Sequence, residues 1–291
     1  MSDSHEIESL QAKAAVLVEA LPYVRRFRGT TFVVKYGGSF MDAEDTKTRS
    51  RVARDIVFLN TVGIKVVVVH GGGKAITKAM EEAGIQAIFR DGLRVTNSEA
   101  IEVVDNVLNE KINAEVAEYI ARNDCEAARF PGKQVLGCVK LESEHDFGFV
   151  GEVTEVEVSS IEEALDAGKV PVISSTASDS SGNCYNVNAD AAAAMVAIRL
   201  QARRLVYLSD VPGLLQNPED HSSLISSLPI GEVKPLQETG IIAKGMLPKV
   251  KSAVQALEAG VHRVHFVDGR LPHSLLLEIF TDTGIGTEII H

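Results

Sequence analysis

Thr31–Tyr36 reads TFVVKY and runs straight into Gly37 and Gly38, and Lys65–His70 reads KVVVVH and runs straight into Gly71, Gly72 and Gly73. Both runs are short, almost wholly apolar and rich in valine. That pattern marks strands buried on both faces. Helical spacing over 42–61 joins the first run to the second, and a helix over 74–83 follows it. Further on come a long helix over 98–122 and two alternating segments, 135–141 and 149–158, that read as hairpins. VPVISS from Val170 and LVYLSD from Leu205 are further buried strands, with a helix over 189–200 between them. A helix over 247–259, the strand HRVHFV from His262 and a helix over 274–280 close the pattern. Strands alternating with helices predict an α/β fold, a three-layer α/β/α sandwich around a mostly parallel sheet. The most loop-like stretch is 174–183, rich in Ser, Asp and Gly.

The first section stands apart. Ile7, Leu10, Ala14, Leu17, Leu21 and Val24 recur in steps of three and four and form one apolar seam on a helix. Asp3 with Glu6 resembles a capping box, and Pro22 is expected to bend or end the helix. Such a helix either packs on its own domain or buries its seam against another subunit as an arm.

Composition narrows the function. The 291 residues carry 29 Lys plus Arg against 40 Asp plus Glu, a formal charge of −11, with 5% aromatics and no Trp. Neither the cationic footprint nor the stacking platforms of a nucleic-acid binder are present. Cys125, Cys138 and Cys184 are too few and too scattered for a disulfide framework. The start lacks a signal-peptide pattern, and the apolar run 191–198 is far short of the ~20 residues of a membrane span. The expectation is a soluble cytoplasmic protein.

Ligands of such sheets bind beyond the carboxyl ends of the strands. There, Lys35 precedes Gly37 and Gly38, and His70 precedes Gly71–Gly72–Gly73. Consecutive glycines admit a ligand to the backbone, and N–H groups at a helix start favour an anion. Neither loop is a Walker A motif, since Ala75 follows Gly73–Lys74, nor a dinucleotide fingerprint, since Ile76 stands at its third glycine. Arg94 in DGLRVT has the side chain best shaped to clamp a carboxylate. In YNVNAD, Asn186, Asn188 and Asp190 crowd a helix start, where Asn188 also suits an N-cap. Lys249 enters a helix after Pro248.

Taken in order, VVKYGGS, HGGGK, DGLRVT, NVNAD, LSDVPGLL and GMLPKV resemble the amino acid kinase family, and within it the members that phosphorylate N-acetyl-L-glutamate. The likeness runs from about Thr30 to the C-terminus, and HGGG followed by GLRVT separates it from the aspartokinase and glutamate 5-kinase branches. It implies transfer of the γ-phosphoryl group of ATP to the side-chain carboxylate, giving N-acetyl-L-glutamyl 5-phosphate. A carboxylate is already ionised at neutral pH, so no general base is needed, and catalysis rests on positioning and charge neutralisation. The resemblance implies that Lys35 and Lys249 flank the transferring group and that Asp190 orients them. Gly37, Gly38, Gly72 and Gly73 would supply N–H groups, Arg94 would clamp the α-carboxylate and Asn186 would bind the amide. Ser209, Asp210, Gly213 and Gly245 would line the nucleotide site. Mg²⁺ would bridge the ATP phosphates, with no protein side chain assigned to it. Lys244 before Gly245 departs from the Gly or Asp of relatives and adds a cation there. The lobes would be 30–190 for the amino acid and dimerisation and 191–291 for ATP, with 1–29 as the arm.

LPYVRRF at the end of the first helix and the tail HSLLLEIFTDTGIGTEI resemble the arginine-inhibited, hexameric members. That implies L-arginine near Tyr23, His265, Glu278 and Gly284, and a hexamer built as a trimer of dimers. Some relatives also bind a PII-type regulator. On the residues alone, Glu278 is equally a solvated helix residue and His265 a satisfied core histidine. Two other functions fit the same cleft: a kinase of another small acid or of carbamate, and a non-catalytic ligand sensor. Retention of both Lys35 and Lys249 disfavours the sensor.

Overall fold

The computed structural model describes residues 2–37, 46–243 and 245–291, without the side chains at 2–6, 8, 9, 12 and 13. Gly38, Lys244 and the expected helix start at 42 lie outside the described residues. The helices are α1 (Ser2–Phe27), α2 (Thr46–Thr61), α3 (Gly73–Glu82), α4 (Ser98–Asn106), α5 (Asn113–Ala121), α6 (Gly132–Val135), α7 (Ser159–Asp166), α8 (Ala189–Arg199), α9 (Ile230–Glu238), α10 (Met246–Glu258) and α11 (Ser274–Ile279). A π-helical segment, Val107–Ile112, joins α4 to α5. The strands are β1 (Thr31–Tyr36), β2 (Lys65–His70), β3 (Phe89–Arg90), β4 (Leu93–Arg94), β5 (Ala127–Phe130), β6 (Leu136–Lys140), β7 (Val150–Val156), β8 (Val170–Ser174), β9 (Thr176–Ser178), β10 (Cys184–Val187), β11 (Arg204–Ser209), β12 (Ser227–Pro229), β13 (Arg263–Asp268) and β14 (Thr287–Ile290).

Among the described residues, eight strands form one sheet in the order β12-β14-β13-β11-β1-β2-β8-β5. Every neighbouring pair is parallel except β13 with β14. The period of two splits the strands between two cores. Val33, Val67, Val69 and Leu205 face α8 and α10, where Ala192, Ala193, Ala194 and Ala197 let α8 lie close on the central strands. Phe32, Val34, Val66 and Val68 face α2 and the α4–α5 helix, meeting Val52, Ile56, Val104 and Leu108. Helices on both faces make the expected sandwich. The same period sends Lys35, two residues after Val33, toward α8.

Several expectations change. The hairpin segments are β6 and β7, and they close with β9 and β10 into a small barrel. Part of the loop-like stretch is therefore strand β9, whose Thr176 is fully buried. Pro22 does not end α1, which continues to Phe27. The last turn is held by packing: Tyr23 and Val24 lie against the core that buries Phe27, and Phe27 meets Phe32 edge-on at 5.3 Å. Packing on its own domain holds only for that end of the helix. Ile7, Leu10, Leu17 and Leu21 are exposed.

Candidate active site

The carboxyl ends of β1 and β2 open on a cleft of about 310 Å³ whose walls include Lys35, Gly72, Arg94, Asn186 and Asp190. Asn188 caps α8 by accepting from the amides of Asp190 at 2.8 Å and Ala191 at 3.1 Å. That start fixes Asp190 between two cations. Lys35 Nζ lies 3.0 Å from Oδ1, and Lys249 Nζ on α10 donates to Oδ2 at 2.9 Å. The Lys35 contact is an ion pair. Burial opposes the charge of Asp190, and the two ammonium groups override it and hold the carboxyl down to about 2. Burial also lowers the pKa of Lys35, with Asp190 opposing that shift. The result is one anion shared by two cations, with Asp190 and Lys35 in the wall of the cleft. Tyr207 donates to the Asp190 carbonyl at 3.2 Å and lies 2.8 Å from the Ser252 hydroxyl, tying α8 to α10.

At Gly37, a Cβ would fall on the end of the Lys35 side chain curled over it and would push the ammonium aside. At Gly72, a Cβ would meet Leu108 Cδ2 at 2.9 Å and would also strike Ile112. The turn is therefore pressed onto the helix behind it, and its N–H groups start α3. His70 beneath it is fully buried, and burial lowers its pKa to about 4.

Arg94 is buried and aimed. Its guanidinium donates to the Gly73 carbonyl at 2.7 Å and to Thr77 Oγ1 at 2.9 Å, and its centre lies 4.5 Å from the Phe89 ring. Burial lowers its pKa. Thr77 and Phe89 were not singled out in the sequence. Thr77 stands one helical turn after Gly73, a spacing that carries no chemistry by itself. Asn186 reaches Thr96 Oγ1 at 3.4 Å, beside the same cleft.

The residues expected at the nucleotide lie at the ends of β11 and α10. Ser209 is buried with its hydroxyl unpartnered, Asp210 is exposed, and Gly245 opens α10 with free space about its Cα. Gly213, at φ +144°, packs against β14, where a Cβ would fall 2.5 Å from Thr287 Oγ1. Its glycine is explained by that approach.

Tyr23, His265, Glu278 and Gly284 line a second cavity of about 260 Å³ that also takes in Arg26 and Arg204. Glu278 is buried, with Oε1 2.7 Å from His265 Nδ1 and Oε2 accepting from the amides of Ile285 and Gly286. Gly284, at φ +63°, leaves room for that carboxylate. Among the described residues, His265 Nε2 has no partner. Tyr23 bonds Asp282 and meets Phe280 edge-on at 6.3 Å.

As donors for Mg²⁺ the residues fit one role. Both Asp190 oxygens face lysines, and among the described residues no three His, Cys, Asp or Glu side chains cluster as a metal cage. Such a site suits an ion that keeps phosphate and water ligands. Among the described residues, no helix is long and apolar enough to cross a membrane.

Comparison with known proteins agrees with this geometry. The family model described as "Amino acid kinase family" matches residues 30–268. An acetylglutamate kinase of Thermoanaerobacter sp. (strain X514) is 46% identical over 280 residues, covering 96% of this chain and 93% of the relative. An acetylglutamate kinase of Archaeoglobus fulgidus is 43% identical, covering 94% and 98%. Among solved structures, the N-acetylglutamate synthase of Neisseria gonorrhoeae complexed with coenzyme A and N-acetyl-glutamate superposes with a TM-score of 0.85 at 28% identity, over 96% of this chain. This chain spans 63% of that synthase's length. The same synthase complexed with coenzyme A and L-arginine gives a TM-score of 0.80 at 29% identity, over 95% of this chain and 65% of that one. From the strand-end glycines to the matched span, the chain belongs to the amino acid kinase family.

Proposed function

We propose that this chain transfers the γ-phosphoryl group of ATP to the side-chain carboxylate of N-acetyl-L-glutamate. The observation that carries the reading is the Lys35–Asp190–Lys249 group, whose first two members line a cleft together with Arg94 and the Gly71–Gly73 turn. Two anions must meet there, and nothing in the reaction needs a base. A carboxylate oxygen forms a bond to the γ-phosphorus as the bond to the β-bridging oxygen breaks, and ADP leaves with that electron pair. Lys35 and Lys249 stabilise the charge that spreads over the phosphoryl oxygens, and Asp190 keeps both ammonium groups aimed at one point. Glycine N–H groups at 37, 38, 72 and 73 complete the cradle, and Arg94 holds the α-carboxylate with Asn186 at the amide. Mg²⁺, when bound with ATP, would neutralise phosphate charge. The nucleotide then lies over Ser209, Asp210, Gly213 and Gly245 in lobe 191–291, and the amino acid lies in lobe 30–190.

The relatives' names support the acceptor, and the synthase structures support an N-acetyl-glutamate and an L-arginine site on this scaffold. L-arginine would occupy the second cavity and inhibit. The exposed seam of α1 would pair with another subunit, building the hexamer as a trimer of dimers in a cytoplasmic enzyme, with a PII-type regulator as a further partner. A coupled assay of ADP release compares N-acetylglutamate with glutamate, aspartate and carbamate. Preference for any of the last three overturns the acceptor, and no turnover with any of them points to a sensor. Unchanged activity in millimolar arginine removes the inhibitor site. Deletion of residues 1–28 is expected to reduce the hexamer to dimers, and an unchanged mass in solution refutes the arm.

A further inference from the structure

Behind the glycine turn runs a chain of buried polar groups that the proposed chemistry does not touch. Asn113, the first residue of α5, is fully buried. Its amide is oriented by neighbours with fixed roles. The Val172 carbonyl only accepts and lies 2.8 Å from Nδ2; Arg129 Nε only donates and lies 3.1 Å from Oδ1. The second Nδ2 hydrogen is then left for His70 Nε2, at 3.1 Å. A ring nitrogen that accepts carries no proton, so the proton of the neutral imidazole sits on Nδ1. Nδ1 lies 3.1 Å from the Gly71 carbonyl, which only accepts. Amide orientation and tautomer are thus set by the partners alone.

The π-helical segment puts Asn113 in place. Arg129 donates to the Asn109 carbonyl at 2.5 Å, a carbonyl that continuous α-helical bonding would direct to residue 113. One extra residue in a turn rotates the face of everything after it by about 100°. Leu108 and Ile112 of the same segment close on Gly72.

We propose that Asn113 is a positioning residue: by fixing His70 as the Nδ1–H tautomer, it keeps the Gly71 carbonyl turned to the imidazole and the Gly72 and Gly73 N–H groups turned to the cleft. The consequence for turnover rests on the phosphoryl-transfer reading. The tautomer and the shape of the turn do not.

The test is Asn113→Asp in the full chain. The shape is kept, but the donor to Nε2 becomes an acceptor, so His70 must carry a proton on Nε2: a neutral ring then presents a lone pair to the Gly71 carbonyl, and an imidazolium holds both protons, and either ends the form protonated at Nδ1 alone. Nitrogen–proton correlation spectra of the imidazoles, with His70→Asn to assign the signal, are expected to show the Nδ1–H form in the wild type and its loss in the variant. The amide resonances of Gly72 and Gly73 should shift with it. The KM for the amino-acid acceptor should rise roughly tenfold while the KM for ATP stays within about twofold. An Nε2–H imidazole in the wild type overturns the proposal. So does a tautomer that flips while the glycine amides and the acceptor KM stay put. If the wild type transfers no phosphoryl group, the functional reading fails and the glycine amides alone decide the positioning. Should Asn113→Asp not fold, Asn113→Ala, which removes the Nδ2 donor to His70, is read by the same imidazole and amide signals, and unchanged signals overturn the proposal.

Discussion

Asp190→Asn separates what holds the two lysines from what the lysines do. The wild-type carboxyl sits at about 2 instead of its ordinary 3.8. That difference corresponds to about 2 kcal/mol in favour of the folded, ionised group. Asparagine forfeits it and leaves Lys35 and Lys249 facing each other across a neutral amide, a repulsion of the same order. The expected loss is about 3–4 kcal/mol, in the range for removing one partner of a buried pair. The sign follows from the lowered value. The stabilisation is complete above the unfolded carboxyl's pKa and is lost as pH falls through the folded one. The wild type should therefore lose this increment between about pH 4 and pH 2, and the variant should not. Urea unfolding from pH 7 downward measures the gap, which is expected to be flat above about pH 5 and to close in acid. ADP release by the same samples should fall by roughly two to three orders of magnitude, since both cations lose their aim. A variant within about 0.5 kcal/mol of the wild type that also keeps a tenth of its turnover refutes the reasoning.

Lys35→Ala and Lys249→Ala are each expected to lower turnover by roughly 100-fold or more with the far-ultraviolet spectrum unchanged; near-normal turnover in either would remove that lysine from the chemistry. Arg94→Lys can keep the contacts that Nη2 alone makes to Gly73 and Thr77 but loses the planar two-pronged guanidinium for a carboxylate, so the acceptor KM should rise about tenfold or more with the ATP KM unmoved; steady-state kinetics in both substrates checks it. Gly72→Ala drives a methyl into Leu108 and Ile112 and should cost about 1–3 kcal/mol in urea unfolding.

What the sequence disclosed, it disclosed through composition along single elements. β1, β2, β8 and β11 are readable because central parallel strands are apolar on both faces. The edge strand β5 carries half-exposed Ala127 and Arg129 and gives no such run. β9 was masked by its hydroxyls; that of Thr176 is buried because it lies 3.2 Å from Ser174 Oγ at the end of β8, which in turn donates to Asn109. The π-helical segment keeps the apolar spacing of an ordinary helix, so nothing in 98–122 announces it. At the site, each motif was legible by itself. Their meeting was not, because Lys35, Asp190 and Lys249 are brought together by strand order and by α8 lying across β1. Thr77 and Phe89 were missed since a threonine and a phenylalanine carry no signal until Arg94 is folded between them.

The two cations differ in what carries them. Lys35 belongs to β1, which is bonded in register along its length to β2 on one side and β11 on the other. Lys249 rides on α10, an outer helix that reaches the sheet beside α8, and its side chain is twice as exposed, 19% against 9%. Backbone amides of β1 should exchange with solvent only in global unfolding, whereas the first turn of α10 opens at far lower cost. Of the two charges, then, one is an anvil fixed to a central strand of the sheet and the other a hammer mounted on an outer helix. Any closing stroke over a bound phosphate falls to the helix.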